Sequence, residues 1–191
     1  MPSQCSIPVR QSGLTLIEMV VTIVILAISL VGVAAMVRQG LQQSANTMVE
    51  TRAIALGHAY LDEIMGRRFD ERSARSGLNP CFGLGVGLAR PCTDEANFGP
   101  DGGETRTRYD DVDDYHLLAE GDGEATALKD AEGDDREGYE NFKVEVSVRY
   151  AGDDAILGGA LDETHAKLIT VTVTSRDQDN GWDFSVYKAN F

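Results

Sequence analysis

From Leu14 to Val37 the chain reads LTLIEMVVTIVILAISLVGVAAMV, interrupted by a single ionisable residue, Glu18, and ended by Arg38. At the helical rise of 1.5 Å per residue such a run spans roughly 30 Å or more, the thickness of a bilayer's hydrocarbon core. The segment predicts a transmembrane helix. A secretory signal peptide has a shorter apolar run followed by a small-residue cleavage site, and this run is too long and ends without one, so it is expected to stay in the mature chain. A carboxylate near the middle of such a helix costs about 2.5–3.5 kcal/mol on insertion scales, and less toward the interface. Glu18 therefore either has a function or lies solvated at headgroup depth.

The rest of the chain is of a different kind. With 191 residues and 42% hydrophobic content it supports one domain of modest core besides the apolar segment. A net charge of −14 excludes a phosphate-tracking surface, which needs clustered Lys and Arg, so no nucleic-acid partner is expected. Acidic residues crowd the stretch from Asp94 to Glu140, while the first 50 residues are nearly uncharged.

Beyond Arg38 the apolar positions Leu41, Ala45, Met48, Val49, Ala53, Leu56, Tyr60, Ile64 and Met65, with Arg52, fall near a 3.6-residue stripe without a proline. The helix is predicted to continue to about Met65 and to stop at Gly66, with Arg67 and Arg68 near the negative end of its dipole. Gly32 and Gly40 are points where it could bend, or where small residues let neighbouring helices approach. From Phe69 to Tyr139 the Gly, Asp and Glu content predicts long loops, with one short helix around Ala125 to Ala131. Period-two alternation then predicts three antiparallel strands. These lie at Phe142–Tyr150, at KLITVTVTS from Lys167, and at Trp182, Phe184 and Val186 after an Asn180-Gly181 turn signal. Their apolar faces need a cover, which the stripe of the long helix supplies, giving an α+β fold.

The residues before the apolar run, Gln11-Ser12-Gly13-Leu14-Thr15-Leu16-Ile17-Glu18, resemble the prepilin peptidase motif of type IV pilins and type II secretion pseudopilins. A Gly directly before the run, a Glu at one fixed offset and a short polar leader carrying Arg10 together make the signal specific. The resemblance implies cleavage between Gly13 and Leu14 and N-methylation of Leu14, although these families usually begin with Phe there. It makes Glu18 the fifth mature residue, paired with the terminal amine of an adjacent subunit and setting register in assembly. It also implies a type IV pilin-like fold with residues 1–13 as cleaved leader, 14–37 as transmembrane half of the helix, 38–66 as its amphipathic half, 67–140 as acidic loop region and 141–191 as β-sheet. The implied partners are prepilin peptidase, other pilin subunits, the pilus assembly platform and inner-membrane lipid, with the C-terminal domain in the periplasm. Arg10 and Arg38 leave one cation on each flank, so charge alone does not set that orientation.

Four downstream segments resemble the minor pilins of mannose-sensitive haemagglutinin (MSHA) pilus systems: ALGHAYLDEIMGRRFDE from Ala55 to Glu71, YDDVDDYH from Tyr109 to His116, KLITVTVTS from Lys167 to Ser175, and the YKANF end. The implied role is a minor subunit in pilus biogenesis, adhesion or motility. A minor pseudopilin of type II secretion shares the leader, the Glu and the helix. A bitopic membrane protein whose acidic domain binds a ligand or metal is the rival of another class, and it predicts an uncut N-terminus.

Other candidate sites are weaker. Cys81 and Cys92 could close a small disulfide loop in an oxidising compartment or remain unlinked thiols; Cys5 leaves with the leader. Asp110, Asp111, Asp113 and Asp114 offer enough oxygen for a hard cation such as calcium, but without EF-hand spacing they read as a solvated loop. His58, His116 and His165 show no metal-ligand spacing, and Gly83, Gly85 and Gly87 lack the lysine and strand-to-helix context of a phosphate loop. No cofactor and no enzymatic activity are expected.

Overall fold

The structure is a computed structural model that describes residue 13 and residues 15–73, 81, 91–159, 162–176 and 178–190, with the side chains of 178–180 left aside. Helix α1 runs from Leu16 to Met65, 50 residues without interruption at Gly32 or Gly40. It ends where Gly66 bonds back to the carbonyls of Asp62 and Glu63 and Arg67 to that of Ile64. The chain divides into two compact units, one up to Met48 and one from Val49 to Phe191.

In the first unit every helical residue from Leu16 to Met48 is exposed, including the apolar run from Leu16 to Val37. By length and composition this helix can cross a membrane.

In the second unit the helix from Val49 onward buries Ala53, Leu56, Gly57, Tyr60, Leu61 and Ile64, positions three and four apart that form one face. Of the predicted stripe, Leu41, Ala45, Met48 and Met65 are exposed instead. The buried face packs on an antiparallel sheet of order β1-β2-β3-β4, made of Ala119–Gly121, Phe142–Tyr150, Ala166–Ser175 and Gln178–Ala189. Alternate residues of β2 and β3, Phe142, Val144, Val146 and Val148 with Ile169, Val171 and Val173, meet the helix residues in a single core. The later part of the long helix packed on a small antiparallel sheet is an α+β arrangement consistent with a pilin fold.

Three details differ from the expectation. The sheet has a fourth strand, β1, too short to show a period, which pairs with Lys143 to Glu145 of β2. The helix expected around Ala125 to Ala131 does not form. Its backbone is taken by bonds to flanking residues in place of helical ones, Gly121 N–H to Thr126 O, Arg136 N–H to Leu128 O and Asp130 N–H to Asp134 O, while Leu128 is drawn into the core. Finally, Asn180-Gly181 lies inside β4, and the reversal comes earlier, between Ser175 and Gln178. Between successive pairings β3 advances only from Val173 to Ser175 while β4 advances from Gln178 to Trp182, so the Asn-Gly pair is absorbed in a bulge.

Candidate functional site

At the start of α1 the oxygens of Thr15 accept two bonds, the side-chain oxygen from the Glu18 N–H at 3.4 Å and the carbonyl from the Met19 N–H at 3.1 Å. Thr15 is thus the N-cap and Glu18 the third helical residue, the Thr-x-x-Glu spacing of a capping box. A carboxylate there also faces the positive end of the helix dipole. Glu18 is exposed, as is the helix around it, and Gly13 has no atom near its α-carbon that a side chain would meet. Leu14, the expected new terminus, lies outside the described residues. Glu18 therefore stands where a carboxylate favours the helix start, and its exposure leaves it open to another molecule.

The aspartates of the second unit are not a solvated loop. Asp111, Asp113 and Asp114 are buried and Asp110 half-buried, because the short 3-10 turn Asp113–Tyr115 carries Tyr115 into the core beneath β2. Two of the carboxylates hold the turn's own backbone. Asp111 Oδ1 accepts from the N–H of Asp113 at 2.9 Å and of Asp114 at 3.3 Å, and Asp114 Oδ2 accepts from those of Asp110 at 2.9 Å and Asp111 at 3.2 Å. The other two meet protein cations: Asp110 pairs with Arg68 and Asp113 with Lys167. The four do not converge as one ligand set. Among the described residues the oxygens that lie close together belong to Glu71, Asp110 and Asp111, and to Glu104, Asp110 and Asp114. Burial and the neighbouring Asp113 and Asp114 push the Asp111 carboxyl up to about 8, and burial pushes Asp113 up to about 6 against the opposing pull of Lys167.

Lys167 is the residue that pattern reading passed over. Its position in KLITVTVTS looks like a strand's polar edge, yet its exposure is 0%. Its ammonium also donates to Phe69 O at 2.7 Å, lies 3.5 Å from Asp70 Oδ2 and sits 4.5, 4.8 and 5.3 Å from the ring centres of Phe69, Phe98 and Tyr150. No local period marks such a residue, since its partners come from positions 69, 70, 98, 113 and 150.

Arg106 was missed for the same reason. From its 3-10 turn it donates through both terminal nitrogens to Glu63 of α1, at 2.5 and 3.0 Å, and through Nε to Glu120 of β1 at 3.1 Å. Tyr60 and Tyr115 complete the group by donating to Glu120 at 2.5 Å and Glu63 at 2.7 Å. This network ties the end of the helix to the edge of the sheet, where one unpaired carboxylate would be costly.

Cys81 and Cys92 form a disulfide with S–S 2.07 Å, packed with Phe69 and Tyr150. Asn190 beside it donates to Cys81 O at 2.6 Å and Thr164 O at 3.2 Å, so the end of β4 is held against this loop. Gly83, Gly85 and Gly87 lie outside the described residues.

Residues 9–34 match the prokaryotic N-terminal methylation motif. The match covers Gly13, Leu14, Glu18 and most of the apolar run, and it supports a type IV pilin-like protein, a pilin or pseudopilin. Such a motif indicates a structural subunit, and implies processing by prepilin peptidase and assembly with other pilin-like subunits. With its exposed apolar helix the chain fits a membrane-anchored pilin. Neither the curated proteins nor the solved structures give a match.

Proposed function

We propose that this chain is a minor pilin of an MSHA-type type IV pilus, of the MshD kind, which is cleaved after Gly13, methylated at Leu14 and assembled through α1. The observation that carries the pilin part is the methylation motif set on an exposed apolar helix. The MSHA assignment rests on the resemblance of the four downstream segments. In the membrane the leader stays cytoplasmic and the second unit periplasmic, where an oxidising environment suits the Cys81–Cys92 bond. Residues 14–37 then span the bilayer and 38–66 lead into the domain.

Glu18 guides docking in this reading. An unpaired carboxylate in low dielectric is costly, so a subunit whose Glu18 meets a neighbour's terminal amine gains over one that docks out of register. The alternative, a minor pseudopilin of type II secretion, uses the same residues; membership of a secretin-linked exoprotein system would favour it.

The test is the intact mass of protein recovered from membranes and from sheared pili, with and without the prepilin peptidase. A species beginning at Leu14 with one added methyl, present in the sheared fraction and dependent on the peptidase, is expected. A chain still beginning at Met1 in both strains would overturn the reading. Glu18→Gln separates the two roles of that residue. Glutamine keeps the capping-box side chain but loses the charge, so incorporation into pili should fall while helix content stays unchanged.

A further inference from the structure

Lys167 and Asp113 form a charged pair with unusual surroundings: both are buried, at 0% and 3% exposure, and a second carboxylate, Asp70, is fully buried beside the ammonium. The three side chains come from distant points of the chain and are each held in place. Lys167 lies in β3 between Tyr150 of β2 and Lys188 of β4. Asp113 is fixed by the bond from its N–H to the Asp111 carboxylate. Asp70 accepts from the N–H of Arg72 and of Thr93, each at 2.9 Å, and from the Tyr150 hydroxyl at 3.4 Å. The rings of Phe69, Phe98 and Tyr150 wall the ammonium off from solvent.

As an ion pair this arrangement is poorly compensated. Asp113 touches Lys167 through Oδ1 only, and its Oδ2 is buried with no hydrogen-bond partner among the described residues. In a low-dielectric site the neutral carboxylic acid gains on the carboxylate, and burial pushes the Asp113 carboxyl up to about 6 against the pull of Lys167. An amine and a carboxylic acid held in contact, with a general base or acid next to them and water excluded, are the reactants of amide formation.

We propose that Lys167 and Asp113 become joined by an intramolecular isopeptide bond, with Asp70 as the proton carrier. The ammonium first gives a proton to the Asp113 carboxylate. The neutral Nζ then attacks Cγ of Asp113, and Asp70 takes a proton from the nitrogen and delivers it to the departing hydroxyl. The Nζ–Cγ bond forms, a Cγ–O bond breaks and one water leaves. Of the three ammonium protons two depart in that water and one remains on the amide nitrogen, and Asp70 ends as it began. No oxidant, metal or external reactant is needed. The product removes one carboxylate oxygen and two buried charges, and links the Asp113 turn covalently to β3.

The test is the intact mass of the full chain, reduced and denatured, followed by tryptic mapping. The expected result is a mass lower by one water than the sequence requires after processing and methylation are counted. It should come with a branched peptide joining the segments around 113 and 167 and no cleavage after Lys167. Lys167→Arg should restore the full mass. Asp113→Asn should give the wild-type product by loss of ammonia instead of water, and Asp70→Asn should leave the pair unjoined in otherwise folded protein. Wild-type protein of full mass, cleaved by trypsin after Lys167, would overturn the proposal. So would a one-water loss that persists in Lys167→Arg, since it would then lie elsewhere in the chain.

Discussion

A carboxylate buried among other carboxylates sets up a pH dependence opposite in sign to that of a salt-bridged acid. The Asp111 carboxyl is raised from an ordinary 3.8 to about 8 by burial and by Asp113 and Asp114. Below the ordinary value both folded and unfolded chains hold the proton, and this contribution to stability is fully present. As pH rises the unfolded chain releases the proton while the folded one keeps it, so the contribution is lost progressively up to the folded value. Asp111→Asn keeps the oxygen that accepts from Asp113 and Asp114 but removes the titration. Urea unfolding should then show a stability loss between about pH 5 and pH 8 that is smaller by about 1–3 kcal/mol than in wild type. An unchanged pH slope would show that Asp111 does not titrate in that range. Pattern reading placed these aspartates in the right segment but in the wrong environment. Nothing in YDDVDDYH says that Tyr115 will pull the turn inward.

Among the elements, α1 approaches β4 closely at Gly57. Gly57 faces the ring of Phe184, and any side chain at 57 would overlap it, whereas Gly40 has open space around it. Gly57→Leu should therefore destabilise the domain by about 1–3 kcal/mol through overpacking. Gly40→Leu, at an exposed helical position, should not destabilise the domain and should favour the helix by up to about 1 kcal/mol. Chemical denaturation of the two variants side by side checks this; equal effects would mean that the Gly57 contact is not needed for docking. The helix and the three longer strands were legible because apolar spacing of 3.6 or 2 extends over many residues. Strand β1 and the loop from Ala125 to Ala131 were not, since β1 is fixed by its pairing with β2 and the loop by irregular bonds to its flanks and by the burial of Leu128, none of which leaves a period.

For the molecule as a whole, the small core is supplemented by cross-links. The Cys81–Cys92 loop closes eleven residues apart in sequence and Asn190 docks the chain's end on it. Closing a loop of that size contributes about 3 kcal/mol in the chain-entropy description. Cys92→Ser with Cys81→Ser should lower stability by about 2–4 kcal/mol in non-reducing buffer, and wild type in reductant should match the double variant. A double variant as stable as oxidised wild type would show that the core suffices without the bond.

The sequence by itself determined the membrane-length helix, the leader motif with Gly13 and Glu18, the strand-rich C-terminal part and the pilin-like class, because each depends on residue type at short, regular spacing. Only the tertiary structure decided that the Lys167 side chain is buried between Asp70 and Asp113, that Arg106 joins Glu63 to Glu120, and that the acidic turn is core rather than surface. These features depend on burial and on partners far apart in the chain. A charged side chain reads alike in a sequence whether it ends in water or in a ring of aromatic side chains.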